Sequence, residues 1–105
     1  MFGLLSKLMG AGVPEEILRS EKLLIVDVRS AGEYNSGHIP GSINIPLNAI
    51  EHNLKKLKGD GPIVLCCASG NRSGMATSLL KSKGFKEVYN GGGWSSLLRQ
   101  LEKLG

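Results

Sequence analysis

Two segments of the chain, Leu23-Leu24-Ile25-Val26 and Ile63-Val64-Leu65-Cys66, contain no polar position. A half-buried strand alternates apolar and polar residues, so runs this continuous predict strands buried on both faces, as in a parallel sheet. Ser42–Ile45 and Glu87–Tyr89 carry weaker strand patterns. Between these segments the apolar residues recur at helical spacing. Leu47, Ile50, Leu54 and Leu57 predict one helix, Met75, Ala76, Leu79 and Leu80 a second that stops at Gly84, and Trp94, Leu97, Leu98, Leu101 and Leu104 a third. Val13-Pro14-Glu15-Glu16 opens a short helix, with proline in the first turn and acids at its positive end. Strands alternating with helices predict an α/β fold around a mainly parallel sheet, whose ligands bind at the carboxyl ends of the strands.

The chain of 105 residues suits one domain, read as residues 13–105, behind an apolar extension or short helix over residues 1–12. In that extension Phe2, Leu4, Leu5, Leu8 and Met9 surround Lys7, with no basic stretch ahead of them. Neither a signal peptide nor a membrane span is expected. The net charge of +4 is scattered and only five aromatics are present (one Trp, two Tyr, two Phe), a poor match to the basic stripe and stacking platform of a nucleic-acid binder. Such a field does suit small anions.

Cysteine changes the picture more. The two cysteines are neighbours, Cys66 and Cys67, and their Cα atoms lie closer than an unstrained disulfide spans. Together with His38 and His52 they offer no zinc spacing, so no metal is expected. Free thiols fit a reducing compartment, read as the cytoplasm.

After the second apolar run the chain reads Cys66-Cys67-Ala68-Ser69-Gly70-Asn71-Arg72-Ser73-Gly74. A buried strand here delivers a thiol to a loop of small residues that leads into a helix. Converging backbone N–H groups and the positive helix terminus favour an anion at that point. A thiol so placed has a lowered pKa, and the thiolate is its reactive form. The plainer reading of a buried cysteine is inert packing, and that reading suits Cys66, which is still on the strand.

Three segments resemble the rhodanese-type sulfurtransferases: Asp27-Val28-Arg29-Ser30-Ala31-Gly32-Glu33-Tyr34-Asn35-Ser36-Gly37-His38-Ile39-Pro40-Gly41-Ser42-Ile43-Asn44-Ile45-Pro46, the loop from Cys67 to Ser73, and Gly84 to Trp94. The resemblance implies a five-stranded parallel sheet with helices on both faces. It implies that Cys67 attacks the outer sulfur of thiosulfate or a persulfide and passes it, as a cysteine persulfide, to cyanide or a thiol. Ala68, Ser69, Gly70, Asn71, Arg72 and Ser73 would form the substrate cradle, with Arg72 steering an oxyanion. Asp27, Arg29, Glu33 and His38 would support it: Asp27 by ordering loops, Arg29 and Glu33 by pairing four residues apart, His38 within the turn. No cofactor is implied. The partners implied are small sulfur-containing anions and thiol acceptors, a thioredoxin-like protein among them, with the chain a monomer and no nucleic acid involved.

Counted from Cys66, the loop reads Cys-x5-Arg, the spacing of related phosphatases and arsenate reductases; counted from Cys67 it is Cys-x4-Arg. The family pattern selects Cys67. A non-enzymatic interaction module on the same fold is the other alternative. Ten of the fifteen glycines are placed at expected strand–helix junctions: Gly37 and Gly41, Gly59 and Gly61, Gly70 and Gly74, Gly84, and Gly91 to Gly93.

Overall fold

The computed structural model describes residues 12–105, so most of the apolar extension expected over residues 1–12 lies outside the described residues. Four strands, β1 (Leu24–Asp27), β2 (Ile43–Asn44), β3 (Ile63–Cys67) and β4 (Val88–Gly93), form one sheet. They lie in the order β2-β1-β3-β4 and every pairing is parallel. The fold is therefore the expected α/β arrangement, with four strands among the described residues where five were implied. Helix α1 (Glu15–Leu18) precedes β1 and α2 (Ala31–Asn35) follows it. A 3-10 helix (Leu47–Asn53) runs into α3 (Leu54–Leu57), α4 (Asn71–Ser82) follows β3, and α5 (Trp94–Leu104) follows β4.

Both apolar runs are central strands, as their lack of alternation requires. Consecutive β3 side chains enter different cores. Ile63, Leu65 and Cys67 pack with Val26, Val28, Ile50, Leu57, Ala76 and Leu80 beneath α4 and the 3-10 helix. Val64 and Cys66 pack with Ile25, Leu18, Ile39 and Leu97 beneath α1 and α5. Among the described residues no helix is long and apolar enough to cross a membrane.

Two helical expectations need correction. The stripe from Leu47 to Leu57 forms a 3-10 helix and a short α-helix, not one continuous helix. Its spacing of three, four and three satisfies either geometry, because 3-10 periodicity also returns to one face every third residue. Met75 is 63% exposed; the buried face of α4 is instead Ser73, Ala76, Thr77 and Leu80. That face contains two hydroxyl residues, which a purely apolar pattern passes over. Thr77 satisfies its hydroxyl on the Ser73 carbonyl at 2.7 Å.

Parallel pairing sets Leu24–Asp27 beside Ile63–Cys66 and brings the ends of β1 and β3 level. At the end of β1, Asp27 is fully buried and grips Arg29, whose Nε and Nη2 donate to the carboxylate at 2.9 and 2.7 Å. Nη2 also donates to the Gly37 carbonyl at 2.6 Å, and the guanidinium lies 4.8 Å from the centre of a Trp94 ring. This one cation ties β1, the turn after α2 and the start of α5 together. Removing one partner of a buried ion pair leaves the other charge uncompensated, at a cost of about 3–5 kcal/mol. Asp27→Ala is therefore expected to destabilise the fold by about that amount in urea titrations, whereas Glu15→Ala, which removes an exposed pair with Arg19, leaves the midpoint within error.

Candidate active site

The site lies where β3 gives way to α4. Cys67 is the last residue of β3, and the next three residues turn the chain through Gly70 into the helix. Gly70 has φ +102°, a backbone that residues with a side chain rarely adopt, so glycine is what permits the turn to be this tight. The turn points backbone N–H groups inward: those of Gly70 and Ser73 donate to Cys67 Sγ at 3.0 and 3.4 Å. Ser73 Oγ lies 3.3 Å from the same sulfur.

These contacts decide the electrostatics. Burial alone raises the Cys67 pKa. The hydroxyl and N–H of Ser73, with the N–H groups of Ser69 and Gly70, outweigh it, and the thiol sits below its ordinary value of 9.0. Cys66 receives none of these donors. Burial, followed by the negative Asp27 nearby, pushes its thiol up to about 12. Adjacent cysteines thus have opposite character because the pleat turns them to opposite faces of one strand.

Arg72 does not point freely at the sulfur. Its Nη1 and Nη2 donate to the two carboxylate oxygens of Glu33 at 2.7 and 2.9 Å, a fork that joins α4 to α2. The Glu33 carboxyl is held down at about 2, first by Arg72 and then by the Ser30 backbone. Glu33 closes a capping box with Ser30, accepting from the Ser30 N–H at 3.0 Å, so its position is set by its own helix. The expected pairing of Arg29 with Glu33 is consequently not made. Arg29 turns inward to Asp27 and Glu33 turns across to Arg72, because a buried guanidinium needs a buried carboxylate, and Glu33 is only half-buried.

The remaining candidates separate. Ala68, Ser69 and Asn71 are exposed on the rim of the loop. Asp27 and Arg29 are in the fold's buried network beside Cys66, not at the cradle. His38 is exposed: its Nδ1 donates to the Tyr34 carbonyl at 2.8 Å and its ring stacks on Tyr34 at 3.7 Å, which makes it a buttress of the turn after α2. His52 is exposed on the 3-10 helix. A cleft of about 290 Å³ opens beside the loop between Val28, Ser30, Pro46, Leu47, Asn48 and Arg72.

One residue at the cradle escaped sequence reasoning. Asn90 of β4 accepts from Ser73 Oγ at 2.7 Å and from the Gly92 N–H at 3.0 Å, and donates to the Gly70 carbonyl at 3.2 Å. A bulge places it there: Leu65 pairs with Asn90 but Cys66 pairs with Gly92, leaving Gly91 as the extra residue. A side chain at Gly91 would meet Val64 at 2.8 Å and Leu97 at 2.9 Å. An asparagine ahead of three glycines, inside a strand, was the available signal.

The chain is similar to known proteins in sequence and in fold. A family model described as Rhodanese-like domain matches residues 13–100. The chain is 36% identical over 84 residues to the thiosulfate sulfurtransferase GlpE of Pseudomonas savastanoi pv. phaseolicola, covering 80% of this chain and 79% of that protein. It is 41% identical over 76 residues to the putative sulfur carrier protein YrkF of Bacillus subtilis, covering 72% of this chain but 41% of YrkF. It likewise spans 55% of the uncharacterized protein YqhL of the same organism, at 38% identity over 66% of this chain. The chain thus covers only about half the length of these two relatives. Among solved structures, the human single-domain sulfurtransferase TSTD1 superposes with a TM-score of 0.70 at 29% identity, covering 82% of this chain and 89% of that one. The family model, the sequence identity and the superposition agree, and the chain belongs to the rhodanese-like domain family.

Proposed function

We propose that the protein is a sulfurtransferase that carries a sulfane sulfur on Cys67. The observation that carries this reading is the convergence of the Gly70 N–H, the Ser73 N–H and the Ser73 hydroxyl on one sulfur atom, which favours its thiolate. The thiolate attacks the outer sulfur of thiosulfate or of an organic persulfide. A new S–S bond forms on Cys67, the donor's S–S bond breaks, and its electron pair leaves with sulfite or a thiolate. An acceptor thiolate or cyanide then takes the outer sulfur and returns Cys67 as thiolate. The electrons balance at each displacement without a cofactor, and the donor's leaving group departs before the acceptor reacts.

The outer sulfur stands about 2 Å beyond Sγ. In the loaded enzyme the N–H groups now directed at Sγ stabilise the persulfide anion, and small residues at Ala68 and Ser69 leave room for it. No general base is invoked, because the donors favour the thiolate by lowering the Cys67 pKa and the proton leaves to solvent. With Arg72 bound to Glu33, positive potential at the cradle comes chiefly from backbone N–H groups and the start of α4. The partners this reading names are thiosulfate or persulfide donors and thiol acceptors, a thioredoxin-like protein among them. Free thiols at both cysteines suit work in a reducing compartment such as the cytoplasm.

The Cys-x5-Arg reading, in which Cys66 attacks a phosphate or arsenate, finds less support. Cys66 packs in the opposite core and its thiol resists ionisation. A non-enzymatic module would have no use for a stabilised thiolate.

Incubation with thiosulfate is expected to add one sulfur atom, about 32 Da, to the intact mass of the wild type and of Cys66→Ser, and none to Cys67→Ser. Loss in Cys66→Ser with retention in Cys67→Ser would reverse the assignment. The rate of sulfur uptake in single turnovers is expected to fall as pH drops through the Cys67 pKa, where the thiolate gains its proton. It should level off at higher pH, before an unperturbed thiol of pKa 9.0 would.

A further inference from the structure

The hydroxyl of Ser73 has one proton and two claimants. It lies 2.7 Å from Asn90 Oδ1, to which it donates, and 3.3 Å from Cys67 Sγ. A hydroxyl proton serves one strong acceptor at a time. The orientation of the Asn90 amide is not free to resolve the competition. Its oxygen must face the Gly92 N–H and its nitrogen must face the Gly70 carbonyl, both backbone groups of fixed polarity. Asn90 Oδ1 is therefore a permanent acceptor aimed at Ser73, placed there by the β4 bulge.

We infer that Asn90 is a positioning residue that switches the Ser73 hydroxyl between two states matched to the protonation of Cys67. While Cys67 is a thiol, its S–H donates to Ser73 Oγ, and the Ser73 proton rests on Asn90 Oδ1. When the thiol proton has left to solvent, the Ser73 hydroxyl turns its proton to the thiolate. Asn90 Oδ1 then keeps the Gly92 N–H, so no buried acceptor is orphaned in either state. Asn90 thereby stabilises the thiol form through Ser73 and keeps the thiolate from being over-stabilised. A nucleophile held too firmly as an anion attacks sluggishly, since nucleophilicity falls with pKa. The inference bears on the resting thiol and is read without any sulfur donor, so it stands or falls separately from sulfur transfer.

The other titratable and charged groups around the thiol are Cys66 on the far face of β3, the Glu33–Arg72 pair from α2 and α4, and the Asp27–Arg29 pair at the end of β1. Asn90 variants leave all of them in place.

The test is titration of thiolate absorbance near 240 nm in the full chain, with Cys67→Ser as the blank. Ser73→Ala is expected to raise the Cys67 pKa, because the thiolate loses a donor. Asn90→Ala is expected to lower it, giving roughly twofold to tenfold more thiolate at a pH below both values, because the thiol state alone loses a partner. A merely structural Asn90 would loosen the cradle and move the pKa upward, as Ser73→Ala does. On a Ser73→Ala background, Asn90→Ala should produce no lowering. Should Asn90→Ala fail to fold, the near-isosteric Asn90→Asp decides. Its carboxylate captures the hydroxyl as well as repelling the thiolate, so its upward shift should be larger with Ser73 present than on the Ser73→Ala background. An upward shift in Asn90→Ala, or equal shifts for Asn90→Asp on the two backgrounds, would overturn the inference.

Discussion

A strand buried on both faces must send successive side chains into two different cores, and in β3 two of those side chains are cysteines. From this constraint the rest of the site follows. Cys67 falls on the side where α4 begins, so the loop that connects strand to helix must pass over its sulfur. Cys66 falls on the other side, in the core that holds Val64 and Leu97, with Asp27 nearby. A shift of register by one residue would exchange the two and put an unstabilised thiol beneath the loop. The parallel ladder to β1 on one side and β4 on the other holds that register.

Two separate charge systems fasten the elements around the site. Asp27, Arg29, the Gly37 carbonyl and Trp94 form a buried network that fastens β1 to the turn after α2 and to α5. Glu33 and Arg72 form a half-exposed fork that fastens α4 to α2 at the rim of the cradle. The first lies on the Cys66 side of the sheet and the second adjoins the loop. Arginine suits both positions because its planar fork satisfies a carboxylate with two parallel donors and stacks on an aromatic face. Neither guanidinium needs to touch the sulfur for the cradle to work. The donors that do touch it are backbone N–H groups and one hydroxyl.

Much of this was legible in the sequence. The unbroken apolar runs identified β1 and β3, and the succession of cysteine, small residues and helix start located the cradle. The pairings of long polar side chains were not legible. Arg29 and Glu33 stand four apart, which invites a helical pair, but Arg29 precedes the helix and faces inward. Met75 fits an apolar stripe by spacing, yet Ser73 and Thr77 occupy the buried face because hydroxyls can be satisfied on neighbouring polar groups. Asn90 lies 17 residues beyond Ser73, and only a bulge in a neighbouring strand brings them together.

The sequence by itself determined the two central strands, the mainly parallel α/β sheet that holds them, and the strand end that offers a thiol. These depend on local periodicity and on which residues avoid water, and both are written along the chain. The tertiary structure alone decided which carboxylate each arginine would find, and that Asn90 would share the Ser73 hydroxyl with Cys67. Those contacts are set by which strands lie side by side and by a one-residue slip between them, geometry that no single stretch of sequence contains.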